Sequence, residues 1–331
     1  MLKPAKILDP PVPDTTASGE RYLPISMACL QPEYRAPCDL YLKTGGRGYL
    51  FFAKKGLDFG HSHRARLQER GVTHLYIRDE DSALYFDYLK ETITEIVRNP
   101  ACQSEQKAAV IHSACQDIMS RVIADPRASF INQAHEIITP TIDLIVSDDT
   151  ATRHLIQLTA YDHYTYTHST NVGIFGVALA RLLYRPNDFR KIERMGAGFF
   201  LHDLGKCRVP IEILNKPGKL TPSEWSVMQR HPAEGFQMLE EAGFLTDEAQ
   251  IITLQHHEKD DGTGYPNALD RDNIHPLARI CRLADVYDAI TSDRPYAKRK
   301  STYEALKLMK EQIVADIDQE LFEHFVKLFR N

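Results

Sequence analysis

The sequence predicts a mainly α fold, in which a small α+β module and a helical connector precede an all-helical carboxy-terminal half. Three observations predict it. Short apolar runs split by turn residues mark the stretch from Tyr22 to about Tyr88. Beyond about Ala83, apolar residues recur at three- and four-residue steps. Helix-start signals, such as Thr221-Pro222-Ser223-Glu224 and Pro276, punctuate the second half.

Residues 1–20 are rich in proline and small polar residues and read as a loose arm. In the module, 21–83, Asp39–Leu42 and Gly48–Phe52 read as strands of a hairpin around Thr44-Gly45-Gly46. A helix over Ser62–Arg70 stops at Gly71, and Thr73–Ile77 reads as a further strand. The connector, 84–148, opens with Leu84, Tyr88, Leu89, Ile93, Ile96 and Val97 on one helical face. It continues as helices over 104–124 and 128–147, broken at Asp125-Pro126, and offers a surface for a homodimer. The module would serve a regulatory ligand or protein partner that the sequence does not name.

Bulk properties narrow the function. The chain has 331 residues, 43% of them hydrophobic and 26% charged, which is ordinary for a folded protein. A net charge of −5 gives no general attraction for a nucleic-acid polymer or an anionic membrane. No run approaches the roughly 18 apolar residues of a membrane span. Six cysteines without a Cys-x-x-Cys pair suggest neither a zinc knuckle nor a disulfide framework, and fit a reducing cytoplasm. The unusual count is 14 histidines.

From Asp149 on, histidines and aspartates stand on the apolar faces of successive helices. His168 shares a face with Val172, Phe175, Leu179 and Leu182. His202-Asp203 closes the run Ala197–Leu201 and precedes Leu204-Gly205-Lys206; His231 follows the capping box at Thr221. His256-His257 ends Ile251–Leu254, and Asp285 lies on the helix opened by Pro276. One histidine on such a face is usually a hydrogen-bonded core residue. Five histidines and two aspartates on inward faces cost several kcal/mol unless something satisfies them together. Metal ions do so, since imidazole and carboxylate ligate iron, manganese and zinc. The lack of cysteine ligands argues against structural zinc. His61-Ser62-His63 in the module has no third ligand nearby and is not taken as a metal site.

Three signatures stand in order: Tyr164–Ser169, His202-Asp203-Leu204-Gly205-Lys206, and His256-His257-Glu258-Lys259-Asp260-Asp261-Gly262-Thr263-Gly264-Tyr265-Pro266. Around them lie Lys216-Pro217-Gly218, Glu224-Trp225, Asp285–Ala289 and Thr291–Tyr296. On these residues the chain resembles the HD-GYP family, a branch of the HD phosphohydrolases that hydrolyses cyclic di-GMP. The resemblance covers roughly 150–310 and places an HD-GYP domain at 149–331. It implies two divalent metal ions, iron or else manganese, held by His168, His202, Asp203, His231, His256, His257 and Asp285. Asp203 would bridge them together with a hydroxide that attacks phosphorus. Lys206 would bind phosphate or protonate the leaving oxygen, and Arg294 would grip phosphate. Tyr265 would face the substrate from a loop in which the glycines supply positive φ.

Two positions depart from the family pattern. Ala297 stands where many members carry a basic residue, leaving Lys298 or Lys300 for that contact. Tyr164 stands where some members place a carboxylate for a third metal, and Asp162 is the nearest acid. A two-metal centre is therefore expected. The expected reaction is hydrolysis of cyclic di-GMP to the linear dinucleotide, with GMP as the alternative end product. Its rivals are another cyclic dinucleotide such as 3′,3′-cyclic GMP-AMP, a non-catalytic sensor, and a nucleoside triphosphohydrolase of the wider HD superfamily.

Overall fold

The computed structural model describes residues 14–15, 19–31, 35–44, 48–58, 60–159, 165–185, 189–243, 246–292, 299–312 and 318–329. Its amino-terminal module is an antiparallel sheet of β1 (Asp14–Thr15), β2 (Arg21–Ser26), β3 (Leu40–Lys43), β4 (Tyr49–Ala53) and β5 (His74–Arg78), in the order β1-β2-β5-β3-β4. Helix α1 (His61–Glu69) connects β4 to β5. The alternation Leu23, Ile25 on β2 and Leu75, Ile77 on β5 turns one sheet face into the core. β2 contains Pro24, which hid it from the pattern reading. Pro24 pairs with Tyr76 of β5, and among the described residues no β1 partner stands opposite it, a setting in which a ladder tolerates a missing N–H.

The rest is helical: α2 (Ser82–Arg98), α3 (Ser104–Ala124), α4 (Ala128–Ser147), α5 (Asp149–Leu158), α6 (Thr165–Leu183) and α7 (Phe189–Leu201) come first. A 3₁₀ turn at Leu204–Arg208 leads to α8 (Ile211–Leu214), α9 (Pro222–Met228), α10 (His231–Ala242) and α11 (Asp247–Gln255). α12 (Pro276–Thr291), α13 (Thr302–Gln312) and α14 (Gln319–Lys327) complete the chain. Among the described residues no helix is long and apolar enough to cross a membrane.

Helix α3 joins the two halves. At its middle, Asp117 Oδ2 accepts from Ser26 N (2.9 Å) and from the Tyr85 hydroxyl (2.5 Å), tying β2 and α2 to it. Near its end, Arg121 pairs with Asp79 at 2.7 Å and lies over the Phe130 ring. At its last turn, Cys207 Sγ donates to Ile123 O at 3.2 Å, beside the 3₁₀ turn. One apolar core runs from Leu23 through α3, α4, α6 and α7 to Phe325. On α6, Val172, Phe175 and Leu179 are buried as expected from their spacing. Leu182, in the last turn, is 46% exposed because it sits near the helix end, beyond the core.

A candidate metal centre at the helix ends

Asp203 and Lys206 reach the centre through a close approach of backbones. The turn that follows Asp203 packs on α10, and a Cβ on Gly205 would lie 1.9 Å from His231 O and 2.5 Å from Gly235 N. Glycine at 205 thus lets His231 come beside Asp203. The capping box at Thr221 and Glu224 starts α9, the helix before α10.

The structure brings the seven predicted ligands into two adjoining groups. Asp203, His231, His256 and His257 offer ligand atoms within 4.8 Å of one another; His168, His202 and Asp285 do likewise. Asp203 joins the groups. Its Oδ1 lies 3.3 Å from His231 Nε2 and 3.6 Å from His256 Nε2, and its Oδ2 lies 3.4 Å from both His168 Nε2 and His202 Nε2. Asp285 Oδ1 lies 3.2 Å from His168 Nε2, and Asp285 Oδ2 lies 3.9 Å from His257 Nδ1. Lys206 is buried, and its ammonium donates to Asp203 Oδ2.

Local folding aims the imidazoles. Nδ1 of His202, His231 and His256 donates to the carbonyls of Phe199, Met228 and Thr253, each three residues back, at 2.8–2.9 Å. Each ring therefore turns an Nε2 lone pair to the centre, as outer partners of metal-ligating histidines do. His231 Nε2 and His256 Nε2 then face each other at 3.3 Å with no hydrogen left between neutral rings. His202 Nε2 and Asp203 Oδ1 are buried without a hydrogen-bond partner, at a cost of about 1–3 kcal/mol each. Converging lone pairs and an ionised carboxylate repel one another, and a cation among them reverses the sign of the interaction. Nitrogen and carboxylate donors of this kind suit divalent first-row metals, so the residues present fit the expected group.

Electrostatics keep five of the donors in the states a cation requires, with His168 the exception. Burial lowers the pKa of His231 and, with the neighbouring rings of His202 and His231, takes His256 down to about 4. Burial and the rings of His256 and His231 put His257 well below the usual value. For Asp203, burial opposes ionisation, but Lys206, His202 and His168 outweigh it and hold the carboxyl far below the normal range. Asp285 is likewise held down against burial, by His168, His257 and His202. At His168, burial works against the proton, yet Asp203, Asp285 and Asp288 raise the pKa well above normal.

Asp288, Asn171 and Glu258 escaped the sequence reading. Asp288, one turn beyond Asp285, accepts from His168 Nδ1 at 2.7 Å and from Asn171 Nδ2 at 2.8 Å. Its i+3 spacing from a ligand on an apolar helix was the available signal. Glu258, directly after the histidine pair, is fully buried. Tyr265, expected to face substrate, stacks on His257 with ring centroids 4.7 Å apart. In its loop Gly262 has the positive φ that was expected (+74°), while Gly264 is required instead by close approach to Glu258. Arg294, Ala297, Lys298, Asp162 and Tyr164 lie outside the described residues. Lys300 is exposed, its backbone N donating to Ile290 O near the end of α12.

The HD-domain family profile matches residues 162–321. A solved HDG"Y"P protein from Bdellovibrio bacteriovorus superposes with a TM-score of 0.71, over 94% of this chain and 100% of that one. An HD domain therefore occupies residues 162–321. At 21% identity the structural likeness shows a shared fold, which extends over the amino-terminal module as well as the HD domain. A cyclic di-GMP phosphodiesterase of Pseudomonas aeruginosa is 38% identical over 224 residues, 68% of this chain and 52% of that protein. The 3′3′-cGAMP-specific phosphodiesterase 3 of Vibrio cholerae is 35% identical over 243 residues, 73% of this chain and 49% of that protein. The chain thus spans about half the length of the curated relatives it matches.

Proposed function

We propose that this chain is a metal-dependent phosphodiesterase that hydrolyses cyclic di-GMP to the linear dinucleotide. The observation that carries the reading is the gathering of six histidine and aspartate side chains around a seventh, the buried carboxylate of Asp203, with Lys206 beside it. Relatives named as cyclic di-GMP phosphodiesterases support the substrate class. In this reading Asp203, His231, His256 and His257 would hold one divalent cation, and His168, His202 and Asp285, next to Asp203, would hold a second. Iron is the proposed native ion, with manganese an alternative. When bound, such ions supply Lewis acidity to a phosphodiester and a nucleophile at neutral pH.

The chain's own residues do the rest. Hydrolysis adds the elements of water across one phosphodiester P–O bond and returns a ribose hydroxyl. Lys206, whose ammonium already lies against Asp203, balances charge on the phosphate and gives its proton to the departing ribose oxygen. The Tyr265 phenol is kept protonated by burial and by the charges of Asp285 and Asp203, so it offers a donor to the substrate. Arg294 and Lys298 are the proposed phosphate contacts from the segment after α12.

The catalytic unit is 149–331, with 21–83 as a regulatory module for a ligand or protein partner and 84–148 as the connector. Because α3 is buried, a homodimer through the connector would use the outer face of α2. A reducing cytoplasm is the proposed compartment, consistent with six free cysteines, four of them buried.

The test is turnover by anaerobically purified protein loaded with iron or manganese, on cyclic di-GMP and 3′,3′-cyclic GMP-AMP. Linearisation of cyclic di-GMP, lost in Asp203→Ala, is expected. Faster turnover of the mixed dinucleotide would move the substrate to the alternative, and tight binding without cleavage would leave a sensor in place of an enzyme.

A further inference from the structure

The segment that follows the histidine pair folds back on itself. Glu258, fully buried, spreads its two carboxylate oxygens over the backbone N–H groups of Asn267 (2.6 Å) and Leu269 (3.0 Å). Tyr265 N donates to His257 O at 3.3 Å. A Cβ on Gly264 would lie 2.4 Å from Glu258 Cα and Lys259 N, so the loop rests directly on the stretch that bears His257. The Tyr265 ring is thereby laid on the His257 ring, 4.7 Å between centroids at 28°. Beside it, Trp225 meets Tyr265 edge-on at 5.7 Å and 80°. Trp225 is itself packed on the small apolar cluster of Val209, Leu214 and Met228.

We propose that Glu258 and Trp225 are positioning residues that clamp Tyr265 against His257, making the Gly262–Pro266 loop a fixed wall of the substrate groove. The proposal rests on the phosphodiesterase reading only for what the wall touches. Burial of Glu258 is costly unless both oxygens are used, and both are used on the loop that leads away from Tyr265. A wall fixed before binding spares the ordering cost that a loose loop would charge to affinity.

Three full-length variants test it: Glu258→Gln, Trp225→Ala and Trp225→Phe. Glutamine keeps one acceptor but turns an NH₂ toward the second backbone N–H. In metal-loaded Glu258→Gln and Trp225→Ala, KM for cyclic di-GMP should rise about tenfold or more, with kcat changed by less than about threefold. Metal content should equal that of the parent. Hydrolysis of bis(p-nitrophenyl) phosphate, which has no base or ribose to meet the wall, should be unaffected. Trp225→Phe, which keeps a ring at the edge of Tyr265, should recover most of the KM.

The chain has a single tryptophan, so Trp225 emission reads the clamp with no substrate present. It should shift in ligand-free Glu258→Gln, where Tyr265 leaves its edge. Equal losses on both substrates together with lost metal would assign these residues to the scaffold and overturn the proposal. An unchanged emission spectrum in Glu258→Gln would also overturn it, whatever the parent protein hydrolyses.

Discussion

Asp288 Oδ2 accepts a hydrogen bond from His168 Nδ1 at 2.7 Å, while Oδ1 of the same carboxylate accepts from Asn171 Nδ2 at 2.8 Å. The first bond decides which nitrogen of His168 faces Asp203 and Asp285, since a ring that gives up its Nδ1 hydrogen outward presents Nε2 inward. The second, with Ser292 Oγ at 3.0 Å, fixes the carboxylate that does the deciding. Asp288→Asn cannot serve three donors with one oxygen. Mn²⁺ affinity should fall by about 10–100-fold. Equilibrium dialysis measures this, and parental affinity in a folded variant would remove Asp288 from the centre.

The opposite shifts of His168 and His256 give the metal affinity a pH dependence. His256, near 4, is neutral throughout the working range. His168 is held above the usual value by Asp203, Asp285 and Asp288 against the pull of burial, so a cation must displace its proton. A raised folded pKa stabilises the metal-free protein below the unfolded value of about 6.5, and that contribution fades as pH rises through the folded value. Metal affinity runs the other way. It should gain about tenfold per pH unit near pH 7, flatten above the raised value, and release about one proton per centre. Calorimetry in two buffers of different ionisation enthalpy counts that proton. An affinity independent of pH with no proton released would show that His168 is neutral before the metal arrives.

Much of this architecture was legible where one residue's neighbours in sequence are also its neighbours in space. The periodic runs at 104–124 and 128–147 are α3 and α4 at those boundaries, and the capping box at Thr221 starts α9 as its pattern implies. The proposed ligands could be singled out because most stand beside an apolar run, while His231 follows a capping box. What stayed hidden depends on distant partners. His168 and Asp288 are 120 positions apart, and nothing local marks Asp288 as an acceptor for an imidazole. Pro24 masked β2 because its tolerance depends on which neighbours the ladder sets beside it, Tyr76 of β5 among them. Gly264 looked like a turn glycine, yet its constraint is the Glu258 backbone lying against it.

Gly205→Ala should be among the most damaging single-methyl additions in the chain. Its Cβ would fall 1.9 Å from His231 O and 2.5 Å from Gly235 N, both backbone atoms that cannot rotate away. Relief requires α10 to move off the turn after Asp203, which separates His231 from Asp203. Destabilisation above about 3 kcal/mol is expected, together with loss of bound metal. Urea unfolding gives the first quantity and metal analysis the second. A variant within about 1 kcal/mol of the parent would mean that the two backbones do not touch in this way.

The last prediction concerns where the HD domain can be cut. All seven proposed ligands lie after residue 149, so a fragment 149–331 contains every donor. It lacks α3 and α4, however, and these close its core: a Cβ on Gly196 of α7 would lie 2.5 Å from Ile142 of α4, and Cys207 is bonded to the end of α3. The cut also removes Asp148, which caps α5 through Thr150 N and Ala151 N and is worth about 1 kcal/mol. Exposing the α6–α7 face strips cover from residues such as Val177 and Ala197, which are fully buried in the whole chain. The 149–331 fragment should therefore aggregate or unfold without a cooperative transition. A fragment starting at 104 restores α3, α4 and Asp148, and should melt cooperatively and bind metal. Circular dichroism melts and metal content of the two fragments decide the matter. A soluble, cooperatively folded, metal-loaded 149–331 fragment would show that α3 and α4 serve the amino-terminal module rather than the HD core.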